Sequence, residues 1–254
     1  MPKSLLAGNW KLNCLSAEAK ELAAAVVAGC GEYDDRDVML APTFTSLGAV
    51  AEAVAGSDVA LGAQNIYWET SGAFTGEISG PMLRDAGADY VIIGHSERRQ
   101  FFGETDYTVA KKVAAAHAAG LIPVMCVGET LEHRESGAEK GIVETQVRHG
   151  LVEFPQTGMG TLVIAYEPVW AIGTGKTASA EQAEEMHAHI RSVLSDVAES
   201  DASEQVRILY GGSVKPGNVD ELMACPNING ALVGGASLVA DDFLRIVNYQ
   251  EFQS

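Results

Sequence analysis

Residues 161–179 read TLVIAYEPVWAIGTGKTAS, an apolar run that stops on a carboxylate, Glu167, before a segment holding Pro168, Trp170, Ile172, Gly173, Gly175 and Lys176. The first half carries large apolar side chains on both parities. A half-exposed strand alternates apolar and polar residues, whereas a strand covered on both faces, as in a parallel sheet, reads as one apolar run. The second half has the glycines of a loop, yet loops are usually polar and exposed. A tryptophan and an isoleucine placed there, beside an acid, suggest a loop that packs over something.

The same texture recurs along the chain in SLLAGNW, DVMLAP, DVALGAQ, DYVIIGH, LIPVMCVGE, VRILYGG and NGALVGG. Helical patterns lie between most of these runs, including SAEAKELAAAVVAG, DYTVAKKVAAAHAAG and SAEQAEEMHAHIRSVLSDVAES. The spacing suits βα units rather than stacked helical repeats. Eight such units predict an α/β chain forming one (β/α)8 TIM barrel over residues 1–254, with a doubly wound open sheet as the alternative. A barrel requires its chemistry to gather where strands end. Asn9 and Lys11, Gln64 and Asn65, His95 and Glu97, Glu167, Gly211 to Ser213, and Gly234 with Gly235 all stand at such ends.

The 254 residues are 47% hydrophobic and 20% charged, enough for a full core, and no linker divides them. The formal net charge of −17 argues against nucleic acid or an anionic membrane as partner. No apolar run is long enough to span a bilayer. The opening MPKSLLAGNW lacks the apolar region of a signal peptide, and Cys14, Cys30, Cys126 and Cys225 have no metal-ligand spacing. A cytoplasmic protein with reduced thiols is expected.

Each candidate residue also has an ordinary explanation. A lone glutamate at a strand end is commonly a solvated carboxylate; as a base, Glu167 would need apolar surroundings to raise its proton affinity, which Trp170 and Ile172 could supply. Walker A would need a glycine at Trp170, so that motif fails. Gly173, Gly175 and Ala178 match G-x-G-x-x-A only by chance, because five residues separate them from the strand-ending Glu167. His95 lies where a strand passes into a helix, whose N-terminal donors disfavour a positive imidazole. The other histidines, His117, His133, His149, His187 and His189, read as surface or packing residues, and no metal site is expected. YGGSV and LVGGAS bring paired glycines to the last two strands, where barrels often bind phosphate through backbone N–H groups. Lys11 is the lysine placed to oppose an anion at the barrel mouth.

Taken in order, GNWKLN (Gly8–Asn13), GAQN (Gly62–Asn65), SGAFTGE (Ser71–Glu77), IIGHSERR (Ile92–Arg99), AYEPVWAIGTGK (Ala165–Lys176), YGGSV (Tyr210–Val214) and ALVGGASL (Ala231–Leu238) resemble the triosephosphate isomerase family over essentially the whole chain. The resemblance implies interconversion of dihydroxyacetone phosphate and D-glyceraldehyde 3-phosphate through an enediolate, in glycolysis and gluconeogenesis, with no cofactor and no metal. It makes Glu167 the base and His95 the group that polarises the carbonyl; this glutamate–histidine pairing is the family's own and comes with the resemblance. It also implies that Lys11 and Asn9 stabilise the enediolate, with Glu97 linked to Lys11. Gly173, Ser213, Gly234 and Gly235 would hold the phosphate, alongside Asn9 and Lys11. Pro168, Val169, Trp170, Ala171, Ile172, Gly173, Thr174, Gly175, Lys176, Thr177 and Ala178 resemble the family's lid, which sheds water from the base when it closes.

The connection Ile66–Ser79, IYWETSGAFTGEIS, is too long and too apolar for a simple turn. The resemblance implies a homodimer in which this loop enters a neighbouring subunit near Asn13 and Cys14. Thr75 would approach the partner's site, with Gln64, Asn65, Phe74 and Glu77 at the contact. IYWET and RRQFFGETD are variable stretches that touch dimer strength rather than chemistry. Two rivals remain: a Schiff-base aldolase, which would want a lysine on the runs at 121–127 or 161–167, where there is none, and a silent binding protein on the same barrel.

Overall fold

The computed structural model describes residues 2–171, 178–198 and 201–250. Eight strands form a closed, all-parallel barrel in sequence order: β1 (Ser4–Asn9), β2 (Arg36–Ala41), β3 (Val59–Ala63), β4 (Tyr90–Ile93), β5 (Ile122–Val127), β6 (Val163–Tyr166), β7 (Arg207–Tyr210) and β8 (Gly230–Val233). Closure rules out the open-sheet alternative. Around the barrel run α1 (Ser16–Gly29), α2 (Leu47–Val54), α3 (Gly80–Asp85), α4 (Ser96–Phe101), α5 (Asp106–Ala118), α6 (Leu131–Glu135), α7 (Glu139–Gly150), α8 (Ala180–Val197), α9 (Val219–Met223) and α10 (Ala240–Val247).

The apolar runs lack alternation because each strand serves two cores. Leu5, Ala7, Met39, Ile92, Val124, Val163, Ala165, Leu209 and Leu232 fill the barrel interior. Leu6, Leu40, Val91, Ile93, Met125, Ile164 and Ile208 face outward into a larger cluster shared with the helices. The seam between β1 and β8 depends on Gly230, whose φ is +130°. A Cβ there would lie 2.1 Å from the Leu5 carbonyl oxygen, so any side chain would push the seam apart.

Helix starts follow their local chemistry. Thr105 and Ser179 accept backbone N–H bonds at the heads of α5 and α8, each in a reciprocal capping box. His187, on α8, is fully buried; its Nδ1 donates to the Ala183 carbonyl at 2.7 Å, and its ring lies 5.6 Å from that of Tyr166 and 6.2 Å from that of Tyr210. Burial pushes this imidazole down to about 4. Unfolded, it titrates near ~6.5. Between those values the unfolded chain binds the extra proton, so stability falls as pH drops through that window, by about 3 kcal/mol in all. Urea unfolding of wild type and His187→Gln from pH 7 to 4 should show the variant losing this share of the slope. Parallel pH profiles would remove His187 as its source.

Candidate active site

A cavity of about 550 Å³ opens at the C-terminal ends of the strands. Its lining brings together Asn9, Lys11, His95, Glu97, Glu167, Ser213, Gly234 and Gly235, residues that the chain scatters over more than two hundred positions. Of the lid, Pro168, Val169, Trp170, Ala171 and Ala178 are described; Ile172, Gly173, Thr174, Gly175, Lys176 and Thr177 lie outside the described residues, and with them the phosphate role expected of Gly173.

Glu167 follows β6 and is 2% exposed. Its N–H donates to the Val127 carbonyl at 2.7 Å, so the parallel pairing of β5 and β6 continues one residue into the site. The backbones approach so closely that a Cβ on Gly128 would stand 1.7 Å from the Glu167 carbonyl oxygen. Three donors converge on the carboxylate. The Ser96 N–H reaches Oε2 at 2.9 Å, the Ser96 hydroxyl reaches Oε1 at 3.3 Å, and His95 Nε2 lies 2.9 Å from Oε1. Burial pushes the carboxyl's proton affinity up, but His95 and the Ser96 N–H outweigh it, so the group lies below the usual carboxylate value in this pose. The expectation of a raised value is therefore corrected: burial acts as anticipated, and hydrogen bonds to the charged form overcome it.

His95 caps the N-terminus of α4. The Glu97 N–H donates to its Nδ1 at 3.2 Å. Burial pushes the imidazole down, while the Glu167 and Glu97 carboxylates push it up and leave it above its ordinary value. That rise depends on Glu167 staying at Nε2. The Glu97 N–H aimed at Nδ1 leaves no room for a second hydrogen there, and this geometry sets the tautomer. It describes a neutral ring with Nε2 as its donor.

Lys11 takes a left-handed backbone conformation, φ +50°, uncommon for any residue with a side chain. Two contacts hold it: Asn9 Oδ1 accepts the Lys11 N–H at 3.0 Å, and Gln64 Nε2 donates to the Lys11 carbonyl at 2.9 Å. The bend sends Nζ to Glu97 Oε1 at 2.7 Å. Gln64 thus works within its own chain, as does the buried Asn65, whose Oδ1 accepts from Lys112 Nζ at 2.8 Å.

The lid's first residues form a single 3-10 turn, Val169–Ala171. Trp170 Nε1 donates to Glu129 Oε1 at 2.7 Å, an oxygen that also accepts from Tyr166 at 3.1 Å and Arg134 at 3.2 Å. Trp170 is therefore fixed to Glu129, while His95 and Ser96, at the head of α4, donate to the Glu167 carboxylate. Sequence reasoning did not single out Ser96 or Glu129. Glu129 had a signal, because it ends the run LIPVMCVGE as Glu167 ends TLVIAYE. Among the described residues no group of three or more His, Cys, Asp or Glu side chains is arranged to hold a metal ion.

A buried carboxylate, a neutral imidazole and an ammonium around one barrel mouth, faced by two glycine turns, form a set specific enough to compare with known proteins. The family model described as triosephosphate isomerase matches residues 4–250. The chain belongs to the triosephosphate isomerase family. It is 56% identical over 246 residues to the triosephosphate isomerase of Chloroflexus aurantiacus, covering 97% of this chain and 98% of that one. Identity to the triosephosphate isomerase of Roseiflexus sp. is 53% over 253 residues, with 100% of each chain covered. The Rhodopirellula baltica triosephosphate isomerase is 53% identical over 243 residues, 96% of each chain. The family is one of isomerases on the barrel fold seen here.

Proposed function

We propose that this chain, as one barrel domain over residues 1–254, interconverts dihydroxyacetone phosphate and D-glyceraldehyde 3-phosphate in glycolysis and gluconeogenesis. The observation that carries the reading is the meeting of Glu167, His95 and Lys11 at one cavity whose far wall holds Ser213, Gly234 and Gly235. On binding, the phosphate lies against those two turns and the carbonyl oxygen takes over the His95 Nε2–H. Glu167, released from His95, removes a proton from the carbon next to the carbonyl. Negative charge moves to the oxygen, where Nε2–H, Lys11 Nζ and the Asn9 amide stabilise it, each such donor contributing about 10²–10³-fold in rate. His95 carries a proton from one oxygen to the other, and Glu167 returns its proton to the neighbouring carbon. Substrate, proton count and charge balance without a cofactor or metal. The lid, anchored at Glu129 through Trp170, keeps water from the enediolate.

The test is conversion of D-glyceraldehyde 3-phosphate in a coupled assay with chelator present. Rapid turnover is expected; no turnover would bring the aldolase and binding-protein readings forward.

We also propose a cytoplasmic homodimer that binds no nucleic acid. Among the described residues no helix is long and apolar enough to cross a membrane. Leu12 is 94% exposed, and Phe44, Phe74 and Phe102 are exposed too, more apolar surface than an isolated chain keeps without reason. Leu12, Phe44 and Phe102 line a second hollow together with Lys11 and His95, one that the exposed loop around Thr75 of a second copy could fill. Gln64 and Asn65 line the same hollow, and with Asn13, Cys14 and Glu77 they are candidate contacts of that interface. Sedimentation equilibrium should give a dimer, and Thr75→Arg should yield monomers of low activity. A fully active monomer would end this reading.

A further inference from the structure

The cavity belongs to a protein of formal net charge −17, yet its ligand, on the reading above, is a phosphate dianion. Among the described residues its wall holds two ammonium groups, Lys11 and Lys215, against three carboxylates, Glu97, Glu167 and Asp242. Lys11 is ion-paired with Glu97, and Glu167 accepts the His95 Nε2–H. Lys215 and Asp242 are left, neither in an ion pair with any described residue. Both are exposed at the mouth.

Their placement is built. Lys215 lies two residues past Ser213, in a turn closed by Asn218. The Asn218 Oδ1 accepts the Lys215 N–H at 2.8 Å, its Nδ2 donates to the Ser213 carbonyl at 3.0 Å, and its own N–H donates to the Lys215 carbonyl at 3.2 Å. One side chain therefore fixes the glycine-rich turn and the lysine together. Asp242 stands in the first turn of α10, which follows the Gly234–Gly235 turn. Lys215 thus flanks one glycine turn, and Asp242, next to the equally exposed Asp241 but the one of the two that lines the cavity, begins the helix after the other; the two wall charges have opposite signs.

We propose that Lys215 and Asp242 are opposed specificity residues that set how strongly the mouth draws a dianionic phosphate. Lys215 adds to Lys11 a local positive potential on the wall of an otherwise acidic protein, and Asp242 limits it. Charges at a cleft mouth act on encounter and binding of a charged ligand, not on the chemical step, and salt screens them over a Debye length of about 8–10 Å. The inference rests on the proposed isomerase reading for its substrate but not for its measurement.

Lys215→Gln, Lys215→Arg and Asp242→Asn would be compared with wild type from low to high ionic strength. Lys20→Gln serves as a control, since it changes net charge equally but removes a surface lysine paired with Glu52. At low salt, Lys215→Gln should lower kcat/KM about 3–10-fold through KM, with Lys215→Arg near wild type and Asp242→Asn raised. The differences should converge at high salt. Affinity for inorganic phosphate, measured by calorimetry, should follow the same order. Salt slopes indistinguishable from those of Lys20→Gln, or a fall in kcat alone, would overturn the proposal. If wild type does not isomerise but phosphate affinity keeps the order, the isomerase reading fails and this one stands.

Discussion

Replacing Glu167 by glutamine should lower kcat by about 10²–10⁴-fold while leaving the barrel folded. The amide oxygen can still accept the Ser96 N–H, now bonded at 2.9 Å. The amide nitrogen can donate to the Ser96 hydroxyl, but it would face the His95 Nε2–H across 2.9 Å. His95 cannot relieve that conflict by moving its hydrogen to Nδ1, because the Glu97 N–H already points there. A stability loss of about 1–2 kcal/mol is expected from the mismatched donors, small beside the loss of rate. Glu167→Asp separates the two causes: it keeps a carboxylate and withdraws it by one methylene, and a misplacement near 1 Å can cost about 10²-fold. Stopped-flow or coupled assays on both variants, with urea unfolding alongside, would decide. Glutamine at wild-type rate would mean that another group removes the proton.

Gly128→Ala should be more damaging than its distance from any substrate atom suggests. The added Cβ would stand 1.7 Å from the Glu167 carbonyl oxygen and 2.7 Å from its carbonyl carbon. Both atoms are backbone, so no rotamer change can relieve the contact. Gly128 is held on its other side by Gln146, which accepts its N–H at 2.7 Å and donates to its carbonyl at 3.1 Å. The alanine must therefore part β5 from β6 or shift Glu167. Overpacking of this kind costs about 1–3 kcal/mol and occasionally more, and here the upper part of that range is expected. Since the displaced residue is the proposed base, kcat should fall as well, by at least about tenfold. A variant with unchanged urea midpoint and unchanged kcat would show that the strands yield more easily than this geometry allows.

The two variants also show where sequence reading reached and where it stopped. Glu167 was legible because a buried parallel strand has an unmistakable texture and a carboxylate at its end stands out. The eight runs located the strands to within a few residues, as with LIPVMCVGE for β5 (Ile122–Val127). The helical patterns placed helices just as closely, DYTVAKKVAAAHAAG beginning at Asp106 with α5 and SAEQAEEMHAHIRSVLSDVAES beginning one residue before α8; the capping boxes of Thr105 and Ser179 were not read from the sequence. What Glu167 touches was not legible. Its partners Ser96 and Gly128 come from other strand ends, and Ser96 is 71 residues away.

Local texture by itself determined the secondary structure, the parallel sheet and the positions at which chemistry-bearing residues leave it, because burial on both faces and capping act over a few neighbouring residues. The family resemblance implied the reaction partners from strings read in order. Only the tertiary structure decided that Gln64 supports the left-handed backbone of Lys11, that Glu129 holds Trp170, and that Ser96 and His95 pull the Glu167 carboxyl below its usual value despite burial. Those outcomes depend on distances between separate βα units. Barrel closure sets these distances through strand register and close backbone approach, which no short stretch of sequence encodes alone.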